Sequence, residues 1–346
     1  MSAEAPKRVW ALLGAHRGDN NQVLALAEAL GLPFEVKSLR YNQWRRLQPR
    51  LLGATLRSLV RDSRADVSGD PPDLTISTGH RSVPVVQAIR RRSGGRTRAV
   101  HLGYPRLSPA RFDLVVPTPE YPVPDRPNVL RIPFALTRAR ATSASDSADD
   151  AIIELFPAPR RLLILGGPTL YWTLDKRDVL AALSHLLEAA ARDGGSVLVV
   201  GSPRTPAAVL GAVRQALIGT RAPAMLVPSE GPPSYPALLA AADTIFVTAD
   251  SVAMVSDAIV TAKPVGLLPI RATLVGRTTM GLADRLWPGR RVYPRDLRFF
   301  WVALEKNGHA GTLEKPSAAA LPDLAAEVAL RVIQLLEQPV QPTQTD

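Results

Sequence analysis

Three short stretches of this chain gather glycine, hydroxyl and charged residues in the pattern a phosphate-bearing ligand requires. At Ala249-Asp250-Ser251-Val252, the β-branched run Thr244 to Thr248, which reads as a buried parallel strand, gives way to a helical pattern. Asp250 and Ser251 carry N-cap chemistry. A helix that opens near Val252 directly off a strand end points free amides and the positive end of its dipole outward, which suits phosphate. In Gly166-Gly167-Pro168-Thr169 the glycines leave room for a pyrophosphate against the backbone. In Gly201-Ser202-Pro203-Arg204-Thr205, Arg204 is typed to neutralise a diphosphate, with Ser202 and Thr205 as hydroxyl donors. No Asp-x-Asp sequence stands at a strand end, so no metal is expected.

A second group of residues suits proton transfer and anion binding. His16 and Asp19 lie in the loop Gly14-Ala-His-Arg-Gly-Asp-Asn-Asn21, and either type can take a proton from a hydroxyl. His80, in Thr78-Gly-His-Arg81, is a third candidate base. Arg17, Asn20, Arg81 and Arg106 are the candidates for binding a second, anionic or polar reactant. Bland roles stay open for these residues: Asp19 as a helix cap, His16 as an exposed loop residue, His80 as a backbone-bonded one. His101 either lines the same side or stabilises a domain interface. Gly14 and Gly18 do not form the dinucleotide fingerprint, so a nicotinamide cofactor is not expected.

The elements that must position these groups alternate. Strand-like runs at Val9 to Leu13, Pro33 to Leu39, Leu74 to Ser77, Arg98 to Leu102 and Asp113 to Val116 alternate with helical ones at Asn21 to Leu30, Leu47 to Asp62 and Val83 to Arg92. This predicts a doubly wound α/β domain over 1–140. The polar stretch within 141–156 reads as a flexible linker. A second alternation over 157–315 follows: Arg161 to Leu165, Asp178 to Arg192, Ser196 to Val200, Ala207 to Leu217, Ala224 to Val227 and the Ser234 to Ile270 unit. A C-terminal helix is expected within 316–338, beginning at Leu321, and a disordered tail over 339–346. Two such domains predict a central cleft between strand carboxyl ends, where ligands bind in open α/β sheets.

The 346 residues include no cysteine, which excludes a disulfide scaffold and a thiolate zinc site. The net charge of +11 implies an anionic partner, but aromatics are only 5% of the chain, which argues against nucleic acid. The apolar start Val9 to Ala15 reads as a first strand, and no run approaches a membrane span. A cytoplasmic protein, peripheral at the inner face of a membrane, is the expectation.

The Ser234 to Ile270 unit resembles the donor-sugar motif of two-domain GT-B glycosyltransferases, including the transferase that adds N-acetylglucosamine to lipid-linked peptidoglycan precursors. More closely, Gly18 to Gly31, Pro72 to Val85, Val100 to Arg106, Gly201 to Pro206 and Val247 to Ala258 resemble plant mitochondrial-fission factors and their bacterial relatives, which are classed as glycosyltransferases. The resemblance implies a GT-B fold and a nucleotide-sugar co-substrate, without cofactor. It also implies a cell-envelope glycan or lipid-linked acceptor such as lipopolysaccharide core. Asp257 falls in register with a glutamate that binds ribose hydroxyls in the peptidoglycan transferase, one methylene shorter; the alternative is an ordinary exposed carboxylate. A non-catalytic adaptor on the same fold and a nucleotide-sugar epimerase are the competing expectations. Arg40 to Arg64 combines Trp44, Leu47, Leu51, Leu52, Leu56 and Leu59 with many arginines, Pro49 limits its helix mostly to the part after it, and it reads either as an element lying on an anionic membrane or as a helix packed on its own domain.

Overall fold

The apolar runs become strands of two parallel sheets in the computed structural model, which describes residues 7–138, 146–228 and 231–339. The first unit comprises Met1–Arg138 and Pro322–Asp346. Its strands are β1 (Val9–Leu13), β2 (Phe34–Ser38), β3 (Leu74–Thr78), β4 (Arg98–Leu102) and β5 (Leu114–Val116). They lie in the order β2-β1-β3-β4-β5, every neighbouring pair parallel. Helices α1 (Arg17–Ala29), α2 (Pro49–Leu52), α3 (Arg61–Asp66) and α4 (Val83–Arg92) connect them. Leu74, Ile76, Ala99 and Val100 are fully buried, as expected of central parallel strands covered on both faces. One core layer joins Trp10 and Leu12 to Val85, Val86 and Ile89 of α4.

The second unit, Ala139–Leu321, opens with α5 (Ser147–Ile153) and β6 (Arg160–Leu165). It continues through β7 (Trp172–Thr173), α6 (Lys176–Asp193), β8 (Ser196–Gly201), α7 (Ala207–Ala216) and β9 (Ala224–Leu226). Then come α8 (Tyr235–Ala241), β10 (Thr244–Thr248), α9 (Val252–Ile259), β11 (Val265–Leu268), β12 (Arg271–Ala272), α10 (Leu274–Leu286) and α11 (Leu297–Lys306). The main sheet has the order β11-β10-β6-β8-β9, all parallel, and β7 and β12 form a small antiparallel pair. The last helix, α12 (Leu324–Glu337), packs on α1 and β4 of the first unit through a face that includes Leu324, Val328 and Val332.

Each sheet reverses its direction of growth once, between β1 and β3 in the first unit and between β6 and β10 in the second. At such a reversal the connecting loops diverge to opposite faces and leave a crevice outside the strand carboxyl ends. Most of the candidate loops named above follow these four strands or their neighbours β4 and β8.

Several expectations need correction. The helix expected over Leu47 to Asp62 is broken: Pro49 opens the four-residue α2, and Gly53, at φ 62°, closes it. Leu59 turns into the core, whereas Trp44, Leu47 and Leu51 stay exposed. Helix α1 begins at Arg17, four residues earlier than its apolar periodicity indicates, so Asp19 and Asn20 belong to its first turn. Part of the expected linker is ordered as α5, because Asp149 is buried and accepts hydrogen bonds from the Ser234 amide (2.8 Å) and hydroxyl (2.7 Å). The C-terminal helix begins at Leu324, with Asp323 as its cap. Residues 141–145 of the linker and 340–346 of the tail lie outside the described residues.

Candidate functional site

In the second unit, Gly166-Gly167, Ser202 to Thr205 and Asp250-Ser251 leave the carboxyl ends of adjacent strands β6, β8 and β10, and side-chain hydrogen bonds tie them together. Asp250, only 2% exposed, accepts hydrogen bonds from the Gly167 amide (2.9 Å) and the Thr248 hydroxyl (2.7 Å). The Gly166 amide in turn donates to the Thr248 oxygen at 2.7 Å. Arg204 reaches the same carboxylate at 3.4 Å and donates to the Pro168 carbonyl at 3.4 Å, while about half of its side chain stays exposed. A buried carboxylate thus holds one side of a guanidinium whose remaining surface faces solvent.

This arrangement changes the role expected of several residues. The space above Gly166 and Gly167 is filled. A Cβ on Gly166 would stand 2.3 Å from both Asp250 carboxylate oxygens, and one on Gly167 would stand 2.2 Å from the Arg204 carbonyl oxygen. These glycines admit the close approach of the neighbouring loops. The Thr205 hydroxyl is engaged with the carbonyls of Leu165 (2.8 Å) and Gly166 (2.6 Å) and accepts the Ser202 amide at 2.8 Å. Thr169 closes a turn with Trp172, each donating its amide to the other. Asp250 does not cap α9. Ser251 occupies the N-cap position without a side-chain bond to the helix, so the amides of its first turn, from Val252 onward, receive no cap from it. Asp257 lies half-buried farther along α9, near the Tyr235 hydroxyl, whose ionisation is pushed well up by burial and then by that carboxylate.

Two residues that sequence reasoning missed complete this side. The Trp301 indole donates to the Ala249 carbonyl at 2.8 Å and meets Trp172 edge to face at 4.7 Å. Thr248 looked like the last residue of a strand and proves to be the hinge of the hydrogen-bond relay. Trp301 binds a group 52 residues away, and Thr248, besides its local bond to Asp250, accepts an amide 82 residues away, so sequence spacing reveals neither long-range contact.

In the first unit, the β1–α1 turn and the β3–α4 turn come together beside the reversal. An added Cβ on Gly79 would lie 3.9 Å from an Asp19 carboxylate oxygen, which puts Asp19 next to the turn that carries His80 and Arg81. Gly79 has φ 70°, a left-handed conformation that favours glycine. Burial, and then the positive charges of Arg106 and Arg81, push the His80 pKa down to about 4. His80 is therefore neutral at pH 7 and a weaker base than an ordinary histidine. Arg106 holds a left-handed backbone at φ 55°, a costly conformation for a residue with a Cβ and one that sequence cannot reveal.

The remaining candidates divide. His16 is exposed at the N-cap position of α1 and makes no side-chain cap bond. Arg17 begins the helix beside it and is also exposed. Asn20 is engaged internally, accepting the Gly14 amide at 2.8 Å and donating to its carbonyl at 3.0 Å. His101 is fully buried against Phe112, with Nδ1 3.0 Å from the Ser77 hydroxyl; burial lowers its pKa to about 3, so it belongs to the core. Glu120, which sequence reasoning passed over, is a fully buried carboxylate just beyond β5 that accepts the Thr118 hydroxyl at 2.8 Å.

A family model described as Mitochondrial fission ELM1 matches residues 17–287. Mitochondrial fission protein ELM1 of Arabidopsis thaliana is 26% identical over 240 residues, which are 62% of this chain and 56% of that protein, so the chain matches little more than half of its relative. Among solved structures, the S. aureus MnaA–UDP co-structure superposes with a TM-score of 0.54 at 10% identity, over 95% of this chain and 96% of that one. UDP-GlcNAc 2-epimerase from Methanocaldococcus jannaschii superposes with a TM-score of 0.53 at 11% identity, over 95% and 99%. At such identities the likeness is one of fold, the GT-B class with its two parallel-sheet α/β domains.

Proposed function

We propose that this protein, which belongs to the mitochondrial fission ELM1 family, is a glycosyltransferase that moves a sugar from a nucleotide donor to a cell-envelope glycan or lipid-linked acceptor. The observation that carries the reading is the second unit's strand-end site. There a half-exposed Arg204, braced by buried Asp250, accompanies an N-terminus of α9 that the side chain of its N-cap residue, Ser251, leaves uncapped. Departure of a nucleoside diphosphate develops negative charge on its oxygens, and a positioned guanidinium with helix-end amides can stabilise that charge without a metal. UDP is the first nucleotide to test, because the MnaA neighbour was solved with it. Asp257 on α9 is the candidate for the ribose hydroxyls.

In the same reading the first unit carries the acceptor. Asp19, His80 or His16 takes the acceptor hydroxyl's proton as the oxygen attacks the anomeric carbon, while Arg81 and Arg106 hold the acceptor's anionic groups. Asp19 is favoured, because it lies beside Gly79 whereas His80 is held weakly basic. The exposed Trp44, Leu47 and Leu51, with Arg45, Arg46 and Arg50, support a cytoplasmic enzyme resting on the inner face of a membrane where a lipid-linked acceptor resides.

Incubation of donor with and without an envelope-glycan acceptor separates the alternatives. Nucleoside diphosphate released only when acceptor is present supports transfer. Isomerised donor formed without acceptor would make the protein an epimerase. The family's name favours a third reading, an adaptor without chemistry, which predicts neither product and an unchanged cellular phenotype in Arg204→Ala.

A further inference from the structure

Helix α10 is apolar on both sides. Its inner face seats Gly276 against the Tyr171 carbonyl and buries Met280. Yet Leu274, Val275, Leu282 and Leu286 remain 70%, 51%, 58% and 52% exposed, and Trp287, which follows the helix, is 53% exposed. Val275, Leu282 and Leu286 stand at i, i+7 and i+11, a spacing that aligns them on one outer stripe. Apolar stripes of soluble helices normally face a core, so this one faces a partner.

Charge identifies the partner. Between Arg271 and Arg298 the chain has seven arginines and two acids. Both acids are paired with one guanidinium: Asp284 accepts Arg298 at 2.6 and 3.1 Å, and fully buried Asp296 accepts it at 2.8 and 2.9 Å, while Arg271 pairs outside this span with Asp178 at 2.6 Å. Arg277, Arg285 and Arg290 are exposed on or just beyond the helix. An apolar stripe ending in tryptophan and rimmed by arginine matches an anionic lipid surface, where the apolar side chains enter the acyl boundary and the guanidinium groups meet headgroup phosphates. A second copy is a poorer match, because a two-fold contact sets this arginine set against itself.

We propose that α10 and Trp287 form a membrane-docking face of the second unit that binds anionic bilayers. It stands independently of the donor and acceptor assignments. The test is flotation of the whole protein with vesicles of phosphatidylcholine alone or mixed with phosphatidylglycerol, with tryptophan emission and gel filtration checking that each variant is folded. Wild type floats with the mixed vesicles and is released by high salt. Leu282→Ser/Leu286→Ser and Arg285→Glu/Arg290→Glu each lower binding about tenfold or more. Trp44→Ser/Leu51→Ser, in the first unit, leaves the α10 contact measurable through quenching of Trp287 by brominated lipid, a signal absent in Trp287→Phe. No flotation of wild type, or flotation unchanged in both α10 variants, overturns the proposal. So does an oligomer, present without vesicles, that Leu282→Ser/Leu286→Ser dissolves, since a second copy then covers the stripe.

Discussion

Replacing Gly166 by alanine tests whether the buried Asp250 carboxylate organises the second unit's strand-end site. The new Cβ would stand 2.3 Å from both carboxylate oxygens, so the contact must open by about an ångström to reach tolerable separation. Asp250 cannot yield that distance and keep its 2.9 Å and 2.7 Å bonds to Gly167 and Thr248. Loss of two hydrogen bonds to a buried charge, at roughly 1.5–3 kcal/mol each, gives an expected destabilisation of about 3–6 kcal/mol. Asp250→Ala alone costs about 3–5 kcal/mol, because it leaves buried donors unmatched. In the double variant the clash has no partner, so Gly166→Ala adds little to Asp250→Ala and the coupling is of the order of the whole single-variant effect. Urea unfolding followed through exchange of the β6 and β10 amides reports this unit separately. Additive effects, with a coupling below about 0.5 kcal/mol, would refute the claim that the carboxylate and Gly166 are matched in space.

Other outcomes follow from the same contacts. Asp19→Ala lowers turnover by about a hundredfold or more with nucleotide affinity unchanged, whereas Arg204→Ala weakens nucleotide binding itself; equal loss of affinity in both would dissolve the division into acceptor and donor residues. Trp301→Phe removes the 2.8 Å bond to the Ala249 carbonyl, which costs about 1 kcal/mol of stability and weakens nucleotide binding several-fold; unchanged affinity would show that the indole does not position the turn. His101 has a pKa of about 3 when folded against 6.5 when exposed, so the unfolded chain binds more protons between these values and stability falls as pH drops. From pH 6.5 to 5 this one group removes about 2 kcal/mol, and His101→Phe flattens the urea-midpoint profile by that amount if the fold tolerates the loss of Ser77's partner. A variant as acid-sensitive as wild type would exclude His101 as the cause.

Sequence revealed what local patterns control. The runs at Val9, Leu74, Arg98 and Thr244 each form a parallel strand within a residue of expectation, because β-branched and leucine-rich segments flanked by polar turns have few other places to be buried. Candidate loops at the ends of β1, β3, β6, β8 and β10 were legible for the same reason, since they are the turns of those strands. What each loop residue does was not. Asp250 has cap chemistry, but Gly167, 83 residues earlier in the chain, takes its carboxylate. The need for glycine at position 166 is set by Asp250, 84 residues later, whose carboxylate a Cβ would meet at 2.3 Å. Asn20 carries the chemistry of a ligand contact, yet its amide closes on Gly14, and this choice depends on a turn geometry no spacing encodes. Pro49 is legible as a limit that leaves the helix after it, but the stop at Gly53, which ends α2 after one turn, is masked by the arginine-leucine pattern around it. Nothing in the stripe Val275, Leu282 and Leu286 distinguished an outer face from an inner one, because Gly276 and Met280 supply the packing face with so little apolar surface.

The most direct measurement of the central claim is calorimetric titration, without metal, of the whole protein with UDP-, GDP-, CMP-, ADP- and dTDP-sugars, repeated with Arg204→Ala. Saturable binding of one nucleotide class is expected, lowered at least about tenfold in the variant, as follows when a charge-assisted contact to phosphate is removed. Binding of no nucleotide, with or without added magnesium, or binding that Arg204→Ala leaves intact, would contradict it.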